Sequence, residues 1–143
     1  LIYADTSLLA AYYCPEPLSE RAQRLLRRES AVGVSDIVEV ELVLAIARKA
    51  RRGEMTRTHA RMAHEAFLQH LAQGWYLRWP VERGHFLRAR EWLALTPLPL
   101  LALDALHLAV ASAHQAPVAT CDRQLASSAR KLGVRARLVT ASP

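Results

Sequence analysis

An α/β domain, with a central parallel sheet of four to five strands flanked by helices, is the fold this sequence predicts. Three observations carry the prediction. Short apolar runs such as Leu1–Ala4 and Pro117–Thr120 lack the alternation of a half-exposed strand. They read as strands buried on both faces, the habit of parallel sheets. These runs alternate with segments of helical periodicity, and a strand–helix–strand rhythm is the mark of parallel connection. The chain has 143 residues, enough for one domain with a sizeable core, so residues 1–143 are read as a single domain.

The first strand, Leu1–Ala4, stops abruptly on Asp5. Thr6–Tyr13 is a short apolar helix that starts near Thr6 or Ser7 and is broken by Pro15 and Pro17. Leu18–Glu29 is predicted helical, with Leu18, Ala22, Leu25 and Leu26 along one face and arginines off it. Ala31–Val34 is the second strand, and Ser35 is a good N-cap for a long helix over Asp36–Arg52, closed by Gly53. Thr56–Gln73 follows as a helix capped by Thr56 and stopped by Gly74, giving an antiparallel hairpin. Trp75–Trp79 is a third strand, and Val81–Leu95 a helix with Phe86, Ala89, Trp92 and Leu93 inward. A proline-punctuated loop leads to an apolar, buried helix over Leu103–Gln115. Pro117–Thr120 is the fourth strand, Asp122–Leu132 a helix stopped by Gly133, and Val134–Val139 a fifth strand. Trp75, Trp79 and Trp92 are assigned to the core, and His59, His64 and His70 to a solvated face.

Composition narrows the function. No apolar stretch reaches the roughly 18 residues of a membrane span. Nothing reads as a leader with a cleavage site, so the expected location is cytoplasmic. Cys14 and Cys121 are too few for a disulfide framework or a zinc site. The net charge is +6, and 17 of the 19 basic residues are Arg. Arg suits phosphate because its fork binds two oxygens at once, so a polyanionic partner is favoured.

The acidic residues are few and oddly placed. Asp5 and Asp122 each follow a predicted strand, where ligands sit in parallel sheets. Asp36 also follows a strand, but in a first helical turn it simply complements the helix dipole. Glu41 has Ile37, Val38, Leu44 and Ala45 as its neighbours three and four residues away. Asp104 lies in the least polar segment of the chain. A carboxylate in such surroundings is costly unless paired or bound to a cation. A buried ion pair, with Arg48 serving Glu41, would explain one such residue. Four carboxylates converging from separate elements, Asp5, Glu41, Asp104 and Asp122, are better explained by a divalent cation. Oxygen-only ligation suits Mg²⁺ or Mn²⁺, which can activate water for displacement at phosphorus.

At four places the sequence resembles one family. Ile2-Tyr3-Ala4-Asp5-Thr6-Ser7, the segment from Val34-Ser35 to Glu41-Leu42 with Ala45 and Arg48, Leu103-Asp104-Ala105-Leu106-His107-Leu108-Ala109, and Ala119-Thr120-Cys121-Asp122-Arg123-Gln124-Leu125 are similar, in order and spacing, to the acidic motifs of PIN-domain proteins. The closer likeness is to the VapC-type toxins of toxin–antitoxin pairs. The resemblance covers essentially the whole chain. It implies a three-layer, Rossmann-like PIN fold and a metal-dependent endoribonuclease, usually a homodimer, held in check by a cognate VapB-like antitoxin. By residue, it implies Asp5 and Asp104 as metal ligands, Glu41 as a group placing metal or water, and Asp122 as a ligand to a second metal or an orienting group. Thr6, Ser7 and Thr120 are expected to hydrogen-bond these carboxylates or the substrate phosphate, and Cys121 to pack.

The expected chemistry is attack of a Mg²⁺-bound water on an RNA phosphodiester, leaving a 5′-phosphate and a 3′-hydroxyl. Arg48, Arg51 and Arg52 are the first candidates for gripping the backbone. His107 is either a proton shuttle or, more simply, a helix residue hydrogen-bonded to a neighbour. Two other readings differ in class. A phosphatase with Asp5 as nucleophile lacks the usual second carboxylate two residues on, where Ser7 stands. A non-catalytic module for RNA or antitoxin would bind without turnover.

Overall fold

The structure, a computed structural model, describes residues 1–141; the last two residues of the predicted 1–143 domain lie outside the described residues. The elements run β1 (Ile2–Ala4), α1 (Thr6–Tyr13), α2 (Ser19–Arg28), β2 (Val32–Ser35), α3 (Asp36–Arg51), α4 (Arg57–Ala72), β3 (Leu77–Trp79), α5 (Arg83–Leu95), α6 (Ala102–Ala113), β4 (Val118–Thr120), α7 (Arg123–Lys131) and β5 (Ala136–Leu138). The sheet has five strands in the order β3-β2-β1-β4-β5, and every pairing is parallel.

This order positions the site. From β1 the chain moves outward through β2 to β3, then returns past β1 to add β4 and β5 on the other side. The reversal falls between β1 and β4, and in open α/β sheets ligands bind at such a point, beyond the carboxyl ends of the strands. β1 is central, and its residues Ile2, Tyr3 and Ala4 are fully buried. Side chains alternate across a strand. Ile2 and Ala4 join a core with Leu8, Leu9, Val38, Leu42 and Phe67 on one face, while Tyr3 joins Leu108, Val110, Val118 and Leu125 on the other. Helices therefore cover both faces. No helix among the described residues is long and apolar enough to cross a membrane.

Gly33 on β2 shows how tight the second face is. A Cβ built there would fall inside the van der Waals radius of the Trp79 ring. That ring has little room to retreat, because it stacks on Tyr3 (centroids 6.2 Å apart) and on His114 (3.8 Å).

Several expectations need correction. Trp75 is 54% exposed rather than in the core. Its edge strand begins only at Leu77, and the indole instead stacks on His70 at 3.5 Å. His70 in turn is half-buried rather than solvated, bonded through Nδ1 to the Tyr13 hydroxyl at 2.6 Å. On α5, Phe86 and Leu93 are exposed at 46% and 41%. The helix packs through the stripe His85, Ala89 and Trp92, and at 3.6 residues per turn the other two lie roughly 80° round the axis. On α6, Ala105 to Ala111 are buried as expected, but Leu103 is 46% exposed. Ser35 occupies the N-cap position of α3 without capping it with its side chain. Its hydroxyl faces the Tyr3 hydroxyl at 2.7 Å instead.

Candidate functional site

The site is built where β1 and β4 end. Asp5 follows β1 directly and caps α1, its carboxylate accepting from the Leu8 amide at 3.0 Å. The Ser7 hydroxyl donates to the same carboxylate at 2.8 Å, and the Thr120 hydroxyl, from the end of β4, donates at 2.5 Å. Asp5 is only 3% exposed. Burial pushes its carboxyl above the usual carboxylate range, against the pull of these hydrogen bonds. The Ser7 oxygen also accepts from the Cys121 amide at 2.9 Å, and the Thr120 oxygen from the Asp122 amide at 3.0 Å. The β4–α7 turn is thus stitched to the β1–α1 turn. Cys121 packs here, and burial pushes its thiol up to about 12.

Glu41 lies on the second turn of α3. Among the described residues its partners are Thr6 and His107, not the Arg48 of the simple ion-pair alternative. Its Oε1 accepts from the Thr6 hydroxyl at 2.8 Å and lies 2.5 Å from His107 Nε2. The other ring nitrogen of His107, Nδ1, faces the Tyr3 hydroxyl at 2.5 Å. His107 is therefore a bonded helix residue, but its neighbours lie on other elements. A largely buried chain of polar groups runs Ser35–Tyr3–His107–Glu41–Thr6 across the sheet. Burial pushes Glu41 up, but the hydrogen bond and charge of His107 outweigh it, and the carboxyl ends below its ordinary range. Burial pushes the Tyr3 phenol well above its ordinary value, so it keeps its proton.

Asp104 stands half-buried in the first turn of α6, with no hydrogen bond to its side chain drawn among the described residues. Burial raises its carboxyl, the charge of His107 opposes this, and Asp122, Glu41 and Asp5 raise it further. Asp104 therefore feels the other three carboxylates. Asp122 is exposed and caps α7, accepting from the amides of Gln124 at 2.8 Å and Leu125 at 3.1 Å. Among the described residues, no three His, Cys, Asp or Glu side chains close into a ready coordination shell. The donor chemistry nevertheless fits a hard divalent cation. Mutual repulsion at Asp104 is what a cation would relieve, and every acidic donor is an oxygen.

Arg48, Arg51 and Arg52 are not brought to this edge. They sit at the far end of α3, about 10 to 16 Å along the axis from Glu41 at 1.5 Å per residue. Tyr3 was missed as a site residue. The one available signal was a tyrosine in an otherwise aliphatic, fully buried strand, two residues before Asp5.

A family model for the PIN domain matches residues 2–131. No curated protein sequence matches the chain. Among solved structures, FitAcB from Neisseria gonorrhoeae is similar with a TM-score of 0.70 at 23% identity, covering 95% of this chain and 96% of its own. The sarcin–ricin-loop-cleaving toxin VapC20 of Mycobacterium tuberculosis gives 0.69 at 21%, covering 90% and 95%. A toxin–antitoxin complex from Klebsiella pneumoniae gives 0.60 at 16%, covering 89% and 91%. At these identities the likeness is one of fold.

Proposed function

The chain belongs to the PIN domain family, and from that premise we propose that it is a metal-dependent endoribonuclease, the toxin of a VapBC-type pair. One observation carries the reading. Asp104 is raised by burial and by the charges of Asp122, Glu41 and Asp5, and Asp5 is itself buried just after β1. The named activity of VapC20 on the sarcin–ricin loop supports RNA as the substrate class. Asp5 and Asp104, helped by Asp122 and Glu41, would hold Mg²⁺ or Mn²⁺. When bound, such a cation supplies water activation and charge neutralisation at phosphorus. The chain's own residues do the rest. Ser7 and Thr120 hold Asp5, and Thr6 and His107 hold Glu41. An antitoxin partner is supported by the Klebsiella pneumoniae complex, and a cytoplasmic location goes with that reading.

Metal and pH should act together on stability. Asp5 and Asp104 have raised folded-state values, so the stability they contribute is present below the unfolded carboxylate range. It is lost as pH rises through the raised values. Glu41 is lowered and works in the opposite sense. The discriminating quantity is therefore the melting shift caused by the cation. Near pH 4 protons compete and the shift should be small. Near pH 7 a cation at 100 times its dissociation constant should add about 2.7 kcal/mol, or about 8 °C for a chain of this size. Thermal melts with Mg²⁺, Mn²⁺ and EDTA measure this. No shift at pH 7 with either metal would count against the metal site.

We also propose a homodimer. The family resemblance suggests it, and exposed apolar side chains on α3 (Val40, Leu44) and α5 (Phe86, Leu93) support it. Light scattering should give the mass of two chains, and Leu44→Asp should halve it. A monomer at tens of micromolar wild-type protein would contradict the proposal.

A further inference from the structure

The basic groove between α2 and β5 is, we propose, the track for the RNA phosphate backbone, leading to the acidic edge. The inference rests on the ribonuclease reading and names where its substrate lies. The groove has a volume of about 420 Å³. Arg21, Arg24 and Arg28 line it from α2, Arg137 faces them from β5, Leu25 forms part of the floor, and Thr140 stands at one end. Spacings of three and four residues put the α2 arginines on one helix face. Arg27 continues the strip into an adjoining hollow shared with Arg24 and Arg28.

Position makes this more than a charged surface. β5 pairs with β4, and just beyond β5 the Val139 amide donates to the Thr120 carbonyl at 2.8 Å. The Thr120 hydroxyl holds Asp5. The β5 side of the groove is therefore one strand away from Thr120, which holds Asp5. Glu20 pairs with Arg24 at 2.6 Å in an exposed i,i+4 bridge, which costs little to open. Glu29 pairs with Arg137 and steadies it against α2. Guanidinium forks in a row suit successive phosphates. A positive groove that tracks a single strand needs no base readout.

The test is fluorescence polarisation with a labelled 12-nucleotide single-stranded RNA, in EDTA so that nothing is cleaved. Arg21→Gln/Arg28→Gln should weaken binding about tenfold at low salt. It should also flatten the log–log salt slope by about 1.4, since each phosphate contact on a single strand contributes about 0.7. Arg61→Gln/Arg83→Gln removes the same net charge from α4 and α5 and should do neither. In the wild type, 4-thiouridine RNA should crosslink to peptides of α2 and β5, a readout that needs no variant to fold. An unchanged slope in the α2 variant, or crosslinks only to other elements, overturns the groove. So does tight binding of a poly-glutamate peptide there without RNA binding, which would make the partner an acidic protein segment. If the α2 variant loses RNA binding but the wild type cleaves nothing with any metal, the groove stands and the nuclease reading fails. If cleavage is metal-dependent but the α2 variant binds RNA normally, the groove alone fails.

Discussion

Asp5→Asn and Asp104→Asn are each expected to lower RNA cleavage by more than about 100-fold, with no loss of stability. Groups that only orient metal ligands cost about 10–100-fold when removed, so loss of a ligand should exceed that. The fold should survive for a reason specific to each position. At Asp5, an Asn oxygen can still accept from the Leu8 amide. Its NH2 group then faces the Ser7 and Thr120 hydroxyls, which can rotate to accept. At Asp104 no protein hydrogen bond is given up, and a carboxylate crowded by Asp122, Glu41 and Asp5 is replaced by a neutral group. In metal-free buffer at pH 7 both variants should melt at or above the wild type, because each loses a carboxyl that burial raises. Low activity with an unchanged or higher melting temperature separates a functional loss from a folding defect. Cleavage of RNA by either variant at the wild-type rate in saturating Mg²⁺ or Mn²⁺ would refute the assignment.

His107→Ala should damage both fold and site. It empties a position that is 2% exposed and removes partners from Glu41 and Tyr3. Cavity formation and stranded polar groups together should cost about 2–4 kcal/mol. For a chain of this size that is a drop of about 6–12 °C. The role assigned is positioning, since His107 holds Glu41 rather than touching substrate. The hydrogen-bond directions follow from the charges. Glu41 is held ionised and accepts, so His107 Nε2 carries a proton. Tyr3 keeps its own proton. The Tyr3 hydroxyl lies within hydrogen-bond distance of both His107 Nδ1 and the Ser35 hydroxyl. Long-range 1H–15N NMR should show a proton on His107 Nε2 in the wild type. His107→Gln can still place an N–H near Glu41, and it should recover more activity than His107→Ala at equal stability. A melting drop below about 1 kcal/mol for His107→Ala, or equal activity of the two variants, would sink this account.

The difference between what could be read from the chain and what could not is one of range. Burial on both faces shows in the uninterrupted apolar runs at Ile2–Ala4 and Val118–Thr120. Helix starts show at Thr56, whose hydroxyl accepts from the His59 amide at 3.1 Å as expected. Stops show at Gly53, Gly74 and Gly133, all with positive φ. Each is settled by residues a few positions apart. Glu41 and Asp104 stood out for the same reason, as carboxylates among apolar neighbours at helical spacing.

Partner choice works at another range. Arg48 is on Glu41's own helix, two turns on, but its charge would have to reach back about 10 Å along the axis. His107 lies 66 residues away and arrives beside Glu41 because α6 packs across the sheet. Trp75 and Trp79 alternate as a buried strand should, yet only Trp79 is on the strand, stacked over Gly33. The sequence by itself determined the order of strands and helices, the α/β class and the acidic residues worth following. Only the tertiary structure decided the strand order that makes β1 and β4 the switch point, the His107 link between Tyr3 and Glu41, and the facing of the α2 arginines with Arg137 on β5. Local backbone preference and periodicity act through near neighbours in the chain. These contacts depend on which buried surfaces pack together, and that is a property of the whole fold.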